Sequence, residues 1–139
     1  MKQLRVYRHR HRVTFDETNL VGNVYFAHYL HWQGHCREHF LADHAPDVLT
    51  ALRSGELALV TVSCAMNYYT ECFALDEIEV GMRLTTRGGN RITMDFDFAR
   101  GDTVIASGSQ TVACMRRQDG RMEPVHPPPD LRAALEEYA

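Results

Sequence analysis

Along the second half of the chain apolar and polar residues alternate with a period of two, the pattern of strands that bury one face of a sheet. Val60, Val62, Cys64, Met66 and Tyr68 are predicted to point one way, and Thr61, Ser63, Ala65 and Asn67 the other. Ile78, Val80, Met82 and Leu84 alternate with Glu77, Glu79, Gly81 and Arg83. Ile92, Met94, Phe96 and Phe98 alternate with Arg91, Thr93, Asp95 and Asp97. Gly88-Gly89-Asn90 is a turn signal between these two runs and predicts a hairpin. After a second turn at Gly101-Asp102, the run from Thr103 to Met115 is long and rich in small and β-branched residues, as in a central strand. Near the N-terminus, Leu4 to Phe15 reads as one more strand.

One segment follows a different period. From Phe26 to Leu41, the residues Phe26, Tyr29, Leu30, Gln33, Arg37, Phe40 and Leu41 fall within a sector of about 120°, which predicts an amphipathic helix of about four turns. His28, His31, His35, Glu38 and His39 occupy the opposite, outward side. Pro46 and the Ser54-Gly55 pair end the helical region. A short terminal helix, Leu131 to Tyr138, is expected behind Asp130 and the stop at Pro127-Pro128-Pro129. No internal repeat or low-complexity linker interrupts this order, and 139 residues suit one domain spanning 1–139. A strand, a glycine-containing loop, a long helix and then four antiparallel strands call for an α+β domain whose sheet covers one helix.

Composition narrows the function. Hydrophobic residues are 45% and charged residues 24%, so the chain can build a core. A formal charge of -3 argues against nonspecific nucleic-acid binding as the main activity. Cys36, Cys64, Cys72 and Cys114 form no C-x-x-C pair and read as reduced, structural thiols. Lys2, Arg5, Arg8, Arg10 and Arg12 are followed by no long apolar run, so a signal peptide or membrane span is not expected, and a cytoplasmic protein is.

Chemistry concentrates in two places. Arg37 sits near the centre of the helix stripe, and a guanidinium taken out of water needs a carboxylate, backbone carbonyls or a ligand in the helix–sheet crevice. Pairing with Glu38, Asp43 or a neighbouring subunit would make it merely structural. The loop from Thr14 to Asn23 brings two carboxylates, two amides and Gly22 to the helix start, where unpaired N–H groups and the positive dipole end stabilise a developing oxyanion. The bland alternative is that Thr18, Asn19 or Asn23 caps the helix. His31, His35 and His39 recur on one helix face without a carboxylate or cysteine at matched spacing, so no metal site is assigned. Cys36 and His35 point about 100° apart and make a poor dyad, and no G-x-S-x-G motif occurs.

The run from Val13 to Leu41, VTFDETNLVGNVYFAHYLHWQGHCREHFL, resembles the signature of hotdog-fold thioesterases of the 4-hydroxybenzoyl-CoA type. Within that superfamily it is most similar to the enediyne polyketide thioesterases. The resemblance implies a hotdog fold, an antiparallel sheet of five to six strands wrapped around one long helix. Where the 4-hydroxybenzoyl-CoA type carries its catalytic Asp, this chain has Asn19, an amide that can neither attack nor act as a base. Asn together with a helix Arg is the pattern of the enediyne group, met here by Asn19 and Arg37.

The resemblance then implies a site. The backbone N–H around Phe26 receives the thioester carbonyl, Asn19 and Arg37 hold water and the oxyanion, and Tyr29, Thr61, Met66 and Gly22 contact substrate. The implied reaction is hydrolysis of a polyene β-ketoacyl or β-hydroxyacyl thioester on an acyl-carrier-protein domain of an iterative polyketide synthase, with decarboxylation able to follow. No cofactor, nucleic acid or membrane is implied. A lone hotdog leaves a sheet edge open, so a homodimer or homotetramer is expected. Arg8, Arg10 and Arg12 share one strand face, which suits docking of an acidic acyl-carrier-protein domain or of the phosphopantetheine phosphate or, equally, a charged edge that resists aggregation. Two other readings stay open: an acyl-CoA thioesterase of primary metabolism, and a noncatalytic acyl-binding subunit, which Asn19 favours.

Overall fold

The computed structural model describes residues 5–86 and 88–138. In chain order the elements are β1 (Tyr7–Arg12), a 3-10 turn (Phe15–Glu17), α1 (His28–His44), α2 (Pro46–Ser54), β2 (Leu57–Tyr68), β3 (Glu77–Thr86), β4 (Arg91–Arg100), β5 (Thr103–Gln118), β6 (Arg121–Pro124) and α3 (Pro129–Tyr138). One antiparallel sheet runs β1-β3-β4-β5-β2, and β6 pairs with the end of β5. The sheet curls over α1, which is the hotdog arrangement and the α+β class expected from the sequence. The β3–β4 hairpin and the central place of β5 also agree with the period-two reading.

Alternation fixes which faces meet. Ile78, Val80, Met82 and Leu84 of β3 and Ile92, Met94, Phe96 and Phe98 of β4 are all buried in one core with Trp32, Cys36 and Phe40 of α1. Full burial of side chains this large contributes about 1.5–3 kcal/mol each. At the far end, Asp130 Oδ2 accepts the backbone N–H groups of Asp47 and Val48, so the start of α3 caps the start of α2.

Three expectations are corrected. The helix begins at His28 and its buried face is turned toward Trp32 and Cys36, both 0% exposed, while Phe26 stays 56% exposed. Trp32 enters the core because a distant carboxylate, Glu17, meets its indole N–H, and no helical wheel contains that partner. The histidine side is partly covered, since the His9 ring stacks 4.2 Å from that of His39. In β2 the pairing shifts between Thr61 and Ser63, a bulge that restarts the alternation. Val60 and Val62 therefore face outward, 46% and 44% exposed, while Thr61 shares the face of Val112, its partner in register.

The two sheet edges differ in character. At the β1 edge, shorter than the predicted Leu4 to Phe15, Arg8 lies 2.7 Å and Arg10 3.7 Å from Glu79, and Arg12 lies 3.7 Å from Glu77. The basic stretch is thus balanced by acids of β3 and is no free cationic patch; Lys2 and Leu4 lie outside the described residues. The β2 edge, LALVTVSCAMNY, carries no charged residue at all.

Candidate active site

Glu17 anchors the loop that leads to α1. Its carboxylate accepts the Thr14 backbone N–H at 2.9 Å and the Trp32 indole N–H at 2.7 Å, and it meets His11 Nε2 at 2.7 Å. Burial alone would raise its pKa, but these donors and the charge of His11 reverse the effect and hold it down at about 2, against an ordinary 4.5. A carboxyl depressed in this way stabilises the fold above its unfolded pKa, and that stability is lost as pH falls from about 4.5 toward 2. Unfolding free energy measured from pH 6 to pH 3 is expected to fall, with about 2 kcal/mol traceable to this group. Glu17→Gln should flatten that part of the slope and cost about 1–3 kcal/mol near neutrality.

Beyond Glu17 the chain doubles back. Thr18 and Val24 form a β-bridge, and the Asn19 N–H donates to the Asn23 carbonyl at 2.7 Å. The turn between them closes with the Gly22 N–H on the Asn19 carbonyl at 2.9 Å, and Gly22 has φ +95, a left-handed conformation that a side chain would strain. The Asn19 side-chain amide donates to Asn23 Oδ1 at 3.2 Å, and the Asn23 amide donates to Glu71. Neither these groups nor Thr18 caps α1, which has no side-chain cap. Among the described residues, the N–H groups of Phe26 and Ala27 have no partner, so two donors stand free at the positive end of the helix.

Beside those donors lies a cavity of about 250 Å³ walled by Asn23, Phe26, Tyr29, Tyr68, Tyr69 and Cys72. The Tyr68 hydroxyl donates to the Phe26 carbonyl at 3.0 Å, and the Tyr29 hydroxyl lies 3.1 Å from Cys72 Sγ. Burial pushes the ionisation of Tyr29 and Cys72 upward, so both serve as walls rather than as nucleophile or base. At 250 Å³ the cavity lies below the roughly 300–1,000 Å³ of ligand pockets, enough for part of a long acyl thioester.

Arg37 lies farther along α1, about 12 Å from Tyr29 by helical rise. It is half-buried, and its Nη1 donates to Gln110 Oε1 of β5 at 2.7 Å. Burial lowers its pKa and Glu38 opposes that shift, but a guanidinium remains charged in either case. One turn earlier Gln33, 0% exposed, donates Nε2 to the Ala65 carbonyl and to Met66 Sδ, while its Oε1 has no partner among the described residues. Gly108 makes this contact possible, since a Cβ there would sit 2.4 Å from Met66 Sδ and 2.6 Å from Gln33 Nε2.

The residues singled out from sequence thus fall into two groups. Asn19, Gly22, Phe26 and Tyr29 gather at the start of α1. Arg37 and Met66 lie deeper, and Thr61 is exposed on the β2 edge. No hydrogen bond joins Asn19 to Arg37. Sequence reasoning missed Glu17, Tyr68 and Gln110; the available signal was an amide in the inward row of β5, among Ala106, Val112 and Cys114. Among the described residues no group of three or more His, Cys, Asp or Glu is arranged to hold a metal ion, and no helix is long and apolar enough to cross a membrane.

The family model of the thioesterase-like superfamily matches residues 13–135. Over 124 residues the chain is 28% identical to the acyl-CoA thioesterase YbgC of Haemophilus influenzae, covering 89% of this chain and 90% of that protein. The dynemicin thioesterase, whose crystal structures reveal induced-fit and allosteric effects upon polyene binding, superposes with a TM-score of 0.91 at 62% identity, covering 96% of this chain and 97% of that one. The 1,4-dihydroxy-2-naphthoyl-CoA thioesterase Slr0204 from Synechocystis shares the fold, with a TM-score of 0.84 at 17% identity over 95% of this chain and 96% of its own.

Proposed function

Since the chain belongs to the thioesterase-like superfamily and is a thioester hydrolase, we propose that it frees a polyene β-ketoacyl or β-hydroxyacyl chain from the acyl-carrier-protein domain of an iterative polyketide synthase, as an enediyne precursor. The observation that carries this reading is the 62% identity to a thioesterase whose crystal structures concern polyene binding. The aromatic wall formed by Phe26, Tyr29, Tyr68 and Tyr69 supports it, because flat conjugated chains pack well against ring faces and edges.

In the proposed mechanism the free Phe26 N–H polarises the thioester carbonyl, Asn19 orients the attacking water, and Arg37 meets the developing oxyanion or a β-oxygen. Water adds to the carbonyl carbon, the C–S bond breaks, and the carrier thiol leaves with a proton from water. With no carboxylate base, the rate comes from positioning and charge stabilisation, each worth about two to four kcal/mol in a preorganised site. A β-keto acid released in this way can then lose CO₂ unaided.

The two groups of site residues lie apart within one protomer, and the cavity holds only part of a substrate. A second copy set against the uncharged β2 edge completes the site, bringing Arg37 and Thr61 of one protomer toward Asn19 and Phe26 of the other. This assembly works in the cytoplasm, where the synthase presents its carrier domain. The identity to YbgC favours an acyl-CoA substrate as a second reading. Because the chain is a hydrolase, the noncatalytic alternative is set aside. Turnover of carrier-bound polyene and of an acyl-CoA of matched length decides between the two. We expect kcat/KM at least about tenfold higher for the carrier-bound chain. A preference for acyl-CoA overturns the assignment.

A further inference from the structure

We propose that Gln110 is the positioning residue of Arg37, a neutral acceptor that aims the guanidinium without cancelling its charge and so keeps the cation available to an anionic oxygen of the substrate. The inference rests on the hydrolase reading and on the place of Arg37 in it. Arg37 Nη1 donates to Gln110 Oε1 at 2.7 Å, and among the described residues no carboxylate lies within ion-pair distance of it. Gln110 is itself buried, 8% exposed, and is held in the ladder between Met94 of β4 and Cys64 of β2. Its oxygen is therefore a fixed point rather than a mobile surface group. Gln33, one turn earlier on α1, is bonded to Ala65 and Met66, so the partner shown for the guanidinium is the amide of Gln110, where a purely structural arginine would be met by an acid. Glu38, next to Arg37 in α1, is exposed to solvent, which screens its charge.

The physical distinction is between orienting and neutralising. A carboxylate would bind the guanidinium in a closed ion pair and take up its charge. An amide oxygen accepts one N–H and leaves the positive charge and the other donors of the fork unspent.

The test uses the full-length protein, a carrier-bound acyl thioester and kcat as readout, with a thermal melt of each variant. Gln110→Met keeps length and bulk but removes the acceptor, and should lower kcat about 10- to 100-fold through misplacement of Arg37. Gln110→Glu keeps an acceptor at the same place and should lose activity comparably, because the cation is now paired off; a merely structural bond would survive this change and the rate with it. In an Arg37→Ala background, Gln110→Met should change the residual rate by less than about twofold. Wild-type kcat in Gln110→Met or in Gln110→Glu, or equal fold losses in both backgrounds, overturns the assignment. If Gln110→Met does not fold, Gln110→Glu carries the test. Full activity in Arg37→Ala alone would overturn the placement of Arg37 in the hydrolase mechanism, a different failure from that of Gln110.

Discussion

Replacing Arg37 by Ala is expected to lower kcat about 100- to 1,000-fold while KM changes far less, because the cation acts on charge that is fully developed only in the transition state. The charge is difficult to replace. Arg37 is the half-buried cation of the α1–β5 crevice, and the Asn at position 19 supplies neither base nor nucleophile. Arg37→Lys should fall between the two, since a point charge survives but the planar fork that reaches both Gln110 and the substrate does not. Arg37→Ala also leaves Gln110 Oε1 without its donor, at a cost of about 1–3 kcal/mol in stability. A denaturant titration beside the steady-state assay separates that loss from the catalytic one. A kcat within about tenfold of wild type would remove Arg37 from the chemistry.

The second large effect is a recovery. Asn19→Ala and Arg37→Ala should each be nearly inactive alone, yet a mixed preparation should regain about one quarter of wild-type activity. Random pairing makes half of the dimers mixed, and in each of these one site has both residues intact while the other has neither. Differently tagged chains and tandem purification establish that mixed dimers are present. If they form and remain inactive, both residues of each site come from the same protomer, and the shared site is refuted.

Much of this architecture was legible because period two is robust where one face is buried. The inward rows of β3 and β4, Ile78 to Leu84 and Ile92 to Phe98, follow the alternation residue by residue. The pattern failed at β2, where a single extra residue between Thr61 and Ser63 reverses the facing of all that precedes it. Alternating composition cannot reveal such a slip when both faces carry small or apolar residues. It failed again on α1, where Trp32 displaced Arg37 from the centre of the buried face with the help of Glu17.

For the site, the need of Arg37 for a partner could be read from its place among apolar residues. The partner itself could not, since Gln110 is 73 residues away and is delivered by the register of β5 on β4 and β2. The partners of the N-terminal arginines were hidden for the same reason. They look unbalanced in sequence, but the ladder sets Glu77 and Glu79 opposite Arg12 and Arg10.

The unlike edges of the sheet set a limit on growth. When two copies join through β2, each β2 is used up by its symmetry mate, and the strands left outermost are the two β1 strands, studded with arginine. A third copy arriving at either end meets arginines already engaged with Glu77 and Glu79, whose desolvation opposes strand pairing, instead of a bare apolar ladder. In a dimer joined this way the ribbon stops at twice the strand number of one chain, with the twelve-residue uncharged edge covered and the arginine-bearing edge left outermost.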